Sequence, residues 1–177
     1  MRVYQGDWVV MTCARGVVVP TVTLDTNIDE QNHSVLLVRA SRHGYTFAYA
    51  VTSLNEVEGT SFEEGVRSSL RVPDIGRWGE LRWDESRWPN EASIVRLLAI
   101  EKIIAGGPLP EVGLTDGQIN QRRDAAILEA HVAAGRDVFL TLDRKAFISH
   151  GRREQLETLL QTRILTIQEF ELELARA

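Results

Sequence analysis

Residues 123–143 read RDAAILEAHVAAGRDVFLTLD. With INQR ahead of it, the first part has the apolar spacing of an amphipathic helix and closes on a glycine. DVFLTLD follows. Its apolar run leaves no polar face, so it reads as a strand buried on both sides of a sheet. That strand ends on an aspartate, Asp143. A helix leading into a doubly buried strand is half of a βαβ unit, and predicts an α/β fold with a mainly parallel sheet.

The same pattern recurs toward the amino end. In TVTLDTNI, residues 21–28, Val22 and Leu24 form a short apolar strand that stops at Asp25, followed by the small polar Thr26 and Asn27. Residues 32–43 have helical spacing and stop at Gly44. YTFAYAVT is the next β-rich run. Ser53 stands where it caps a new helix, with Glu56 at the capping-box distance; that helix runs through LNEVEGTSFEEGVRSSL, weakened by Gly59 and Gly65. Residues 71–91 are irregular, with two prolines, two glycines and three tryptophans. ASIVRLLAIEKIIAGG is a glycine-closed helix. EQLETLLQT is helical, RILTI a strand, and QEFELELARA a last helix. The expected strands are thus 21–25, 46–52, 138–142 and 163–167, in an α/β/α sandwich. Residues 1–20 read as an extension of short strands ahead of a domain over 21–177, with an insertion around 71–92.

The chain has 177 residues, 44% apolar and 25% charged, and a net charge of −5, so no overall basic field points to nucleic acid. The lone Cys13 forms no internal disulfide and no CxxC zinc motif exists. No apolar run has membrane length and no long apolar leader opens the chain, so a cytoplasmic protein is expected.

In a parallel α/β sheet the ligand crevice lies beyond the carboxyl ends of the strands. Asp25 and Asp143 are expected there. Glu56 opens the helix after the second strand, and Asp124 starts RDAAILEAHVAAG, so both are expected on the same rim. Each acid alone has an ordinary explanation, as a turn former or as a first-turn residue favoured by the helix dipole. Together they form a set that repels itself unless a cation neutralises it. All-oxygen donors without His or Cys suit Mg²⁺ or Mn²⁺, ions that activate water for phosphodiester cleavage.

These blocks resemble a PIN-domain (VapC-like) metal-dependent ribonuclease. The matching segments are LDTN at 24–27, TSLNEVEG at 52–59, RDAAILEAHVAAGRDVFLTLD at 123–143 and RILTIQEF at 163–170, covering roughly 21–172. The resemblance implies an Mg²⁺- or Mn²⁺-dependent endoribonuclease acting on single-stranded or structured RNA through a metal-activated water. Asp25, Glu56, Asp124 and Asp143 would be both the catalytic and the metal-holding residues, with Glu56 preferred over Glu58. Asn27 and Thr141 would support them by hydrogen bonds. Asp116 is a further acid, read as a helix cap. It also implies a homodimer and, for a toxin, a small antitoxin protein as partner. The long stretch after residue 71 and the N-terminal extension depart from compact PIN toxins, which keeps a non-toxin RNA-processing nuclease open. A catalytically inactive PIN-like binding module is the alternative from another class.

Arg144 and Lys145, directly after Asp143, are candidates for guiding an RNA backbone. Arg122, Arg123, Arg152 and Arg153 read as solvated surface charge. Arg-Trp recurs at 77–78, 82–83 and 87–88, but Glu80, Asp84 and Glu85 cancel its charge, so packing or a subunit contact fits better than an RNA platform. The four histidines show no metal-ligand spacing. A haloacid-dehalogenase phosphatase would need a second Asp where Asn27 stands, and a response-regulator receiver would need an acidic pair that is absent.

Overall fold

The computed structural model describes residues 19–28, 30–75 and 85–176, without the side chains of 30–33. Residues 1–18 of the N-terminal extension, with Cys13, and the first two Arg-Trp pairs lie outside the described residues. Five strands form one all-parallel sheet: β1 Thr21–Leu24, β2 Thr46–Ala50, β3 Arg71–Val72, β4 Val138–Thr141 and β5 Arg163–Thr166, in the order β3-β2-β1-β4-β5. The helices are α1 Glu30–Arg42, α2 Thr52–Val57, α3 Glu63–Ser68, α4 Glu91–Ala105, α5 Asp116–Ala133, α6 Arg144–Phe147, α7 Arg152–Leu160 and α8 Ile167–Leu174.

Alternation along the strands divides the core into two layers. Ala48, Ala50, Phe139 and Ile164 face α4, α5, α6 and α7, whereas Val22, Leu24, Tyr49, Val138 and Leu140 face α1, α2, α3 and α8. Each large apolar side chain so enclosed contributes about 1.5–3 kcal/mol. The result is the expected three-layer α/β/α sandwich. Among the described residues no helix is long and apolar enough to cross a membrane.

The chain first builds outward on one side of β1 (β2, then β3) and then returns to build on the other (β4, then β5). The strand order therefore reverses between β1 and β4. Beyond their carboxyl ends the flanking loops part, which opens the crevice in which such sheets bind ligands.

Several local expectations are corrected. The segment after β2 is two helices rather than one, broken where Gly59 takes φ +75°. Ser53 does not cap α2: the helix begins at Thr52, and Ser53 lies inside it, fully buried, with a hydroxyl that has no hydrogen-bond partner. Asp124 does not start a helix but sits in the middle of α5. Nor does Asp116 cap it; Thr115 does, in a reciprocal capping box with Gln118. Within the stretch read as irregular, Arg71–Val72 pairs with β2 as an edge strand.

Candidate active site at the carboxyl edge of the sheet

Asp25 follows β1 and extends its ladder, donating its backbone N–H to Leu140 O at 2.9 Å. Its carboxylate is buried and accepts hydrogen bonds from the Thr26 N–H at 2.9 Å and the Thr141 hydroxyl at 2.5 Å. Burial pushes its pKa up from 3.8 to about 6. The Thr141 hydrogen bond opposes that rise, the Asp143 charge adds to it, and hydrogen bonds from Thr26 and Asn27 oppose it further.

Asp143 lies two residues beyond β4. Its N–H donates to the Thr141 hydroxyl at 2.8 Å, and its carboxylate caps α6 through the Ala146 N–H at 2.8 Å. Asn27 fastens the two strand ends together by accepting from the Leu142 N–H at 3.0 Å. Glu56, half-buried on α2, accepts a hydrogen bond from the Thr26 hydroxyl, while Glu58 is exposed. Asp124 projects from the middle of α5. Burial, and then the charges of Asp25, Glu56 and Asp143, push its pKa from 3.8 to about 8. Asp124 thus feels the charges of Asp25, Glu56 and Asp143, which come from three other elements.

The fit to a divalent cation has two sides. The donor set is all oxygen and self-repelling, the chemistry that a hard cation relieves. Among the described residues, however, no three His, Cys, Asp or Glu side chains stand at metal-holding spacing. Mg²⁺ commonly takes one or two carboxylates, keeps several waters and completes its shell on substrate phosphate. The residues fit an ion held in that open way.

Of the flanking cations, Arg144 and Lys145 are exposed beside Asp143. Arg122 donates to Pro110 O and pairs with Glu101, Arg152 donates to Ile103 O, and Arg153 pairs with Glu169, so these three brace the fold. Of the last Arg-Trp pair, Trp88 is exposed and Arg87 pairs with Glu129. His131 is buried between the Thr23 and Thr162 hydroxyls at 2.9 and 2.6 Å. A hollow of about 520 Å³ lined by Pro20, Tyr45, Arg136 and Gln161 opens at the amino edge of the sheet, and none of the four acids lines it.

Three residues carry roles that sequence reasoning missed. Thr26 bridges Asp25 and Glu56; its place inside LDTN was the available signal. Buried Asp74 accepts from the N–H of Thr52, the first residue of α2. Glu129 is fully buried within the apolar stretch AAILEAHV, a charge in an apolar run that the sequence did display. Comparison of the chain with protein-family models, curated proteins and solved structures gives no match.

Proposed function

We propose that the chain is a divalent-metal-dependent endoribonuclease of the PIN type, cleaving single-stranded RNA. The observation that carries this reading is that Asp124 is raised by burial and then by the charges of Asp25, Glu56 and Asp143, of which Asp25 and Asp143 follow the two strands at the strand-order reversal. No Cys nucleophile, Ser-His pair or zinc ligand set accompanies them among the described residues, which favours metal-ion hydrolysis. In this reading Asp25, Asp124 and Asp143 hold Mg²⁺ or Mn²⁺, directly or through water. The bound ion supplies an activated water and stabilises the leaving oxygen. Glu56 takes up a proton at the rim, oriented by Thr26. Thr141 and Asn27 keep the ends of β1 and β4 in register. Arg144 and Lys145 meet the phosphate backbone, so binding weakens with salt.

A homodimer and a small antitoxin protein belong to the toxin version of this proposal, and an adjacent short reading frame for a DNA-binding protein would support it. The open spacing of the acids favours one second reading, a catalytically inactive binding module of the same fold. The separating experiment is cleavage of labelled RNA with Mn²⁺, repeated in EDTA and with Asp25→Asn. The nuclease reading expects cleavage by wild type with Mn²⁺ alone. A folded, Mn²⁺-loaded wild type that cuts no RNA supports the binding module.

A further inference from the structure

Glu56 and Asp124 sit on different helices, α2 and α5, and a line of buried polar contacts away from the acid cluster joins those helices. Glu129 lies five residues beyond Asp124 on α5, about 140° around the helix, so the two acids face different neighbours. The fully buried Glu129 carboxylate takes two arginines. One is Arg96 of α4, through Nη2 at 2.7 Å and Nε at 3.2 Å. The other is Arg87, from the segment that follows β3.

Arg87 also reaches back toward α2. Its backbone N–H donates to Asp74 O at 2.8 Å, and the neighbouring Ser86 hydroxyl donates to the Asp74 carboxylate at 3.1 Å. The other Asp74 oxygen accepts the Thr52 N–H at 2.5 Å and the Thr52 hydroxyl. Thr52 opens α2, which has no side-chain cap of its own at that end, so Asp74 supplies the cap from outside. Glu56 follows one turn later on the same helix. The line therefore runs from α5 through Glu129, Arg87 and Asp74 to α2.

We infer that Arg87 is a positioning residue: through Asp74 and Glu129 it sets the separation of Glu56 from Asp124, and with it the affinity of the acid cluster for a divalent cation. The inference rests on the metal-dependent reading above. Arg96 provides an internal control, because it pairs with the same Glu129 carboxylate but leads to α4, which carries none of the four acids. A purely structural ion pair would make the two arginines equivalent.

The test is Mn²⁺ binding by titration calorimetry to wild type, Arg87→Met, Asp74→Asn and Arg96→Met, with circular dichroism reporting the fold. Arg87→Met and Asp74→Asn are expected to bind Mn²⁺ about tenfold more weakly, with Arg96→Met unchanged within about twofold. Should Arg87→Met not fold, Ser86→Ala takes its place, since it removes a single contact to Asp74. Equal weakening by the two arginine variants, or Arg87→Met binding as wild type does, overturns the inference alone. A wild type that binds no Mn²⁺ overturns the functional reading, and the inference with it.

Discussion

The Thr141 hydroxyl donates to the Asp25 carboxylate at 2.5 Å and accepts from the Asp143 N–H at 2.8 Å, so one side chain on β4 holds both strand-end acids. Thr141 and Asp25 are both buried, so no water replaces the bond between them when it is lost.

Thr141→Val is therefore expected to cost about 1–3 kcal/mol of unfolding free energy, because it strands a buried acceptor and the Asp143 N–H. It should also raise the Asp25 pKa further, since that hydrogen bond works against the rise. Thr141→Ser keeps the hydroxyl and should lose about 1 kcal/mol or less, the share of one methyl group. Urea unfolding of the two variants checks this. Equal losses would mean the hydroxyl is not what holds the site.

Most of the fold was legible because its strands carry buried apolar residues in short runs. Val22, Leu24 and the run Val138–Thr141 announce themselves, and each is followed by an aspartate at the right distance. β3 was not legible. A two-residue edge strand has no periodicity to read, and it exists through its pairing with Tyr49 and Ala50. Polar residues ahead of Asp124 suggest a helix start there; the helix begins instead after Thr115, whose capping box with Gln118 is itself a sequence signal. Ser53 looked like a cap by residue type, but Asp74, 22 positions from Thr52, caps that helix. Contacts of that kind carry no local signal. The meeting of Asp25 with Asp124 likewise depends on strand order, which local pattern does not encode.

Stability without metal should depend on pH in a way that exposes Asp124. Its folded pKa, about 8, lies above the ordinary 3.8, so the folded state holds its proton more tightly than the unfolded chain. The stability this contributes is fully present below about 4 and is lost as pH rises through about 8. Asp25 behaves alike, its contribution being lost as pH rises from about 4 through about 6. His131 acts in the opposite sense. Burial, and next the Arg136 charge, lower its pKa from 6.5 to about 3, so its contribution is lost as pH falls below 6.5. The melting temperature in EDTA should thus fall between pH 6.5 and 8, where His131 is silent, and Asp124→Asn should flatten that fall. A wild-type profile that rises across this window would contradict the raised Asp124.

Deprotonation of Asp124 links that profile to the central claim, since carboxylates bind a cation only after losing their protons. The direct measurement is the electron paramagnetic resonance signal of free Mn²⁺, titrated with protein at pH 6 and pH 8. Wild type is expected to remove free Mn²⁺ from solution, more strongly at pH 8, and Asp25→Asn and Asp124→Asn to remove much less. An unchanged free Mn²⁺ signal with folded wild type at pH 8 would contradict a metal site at the carboxyl edge.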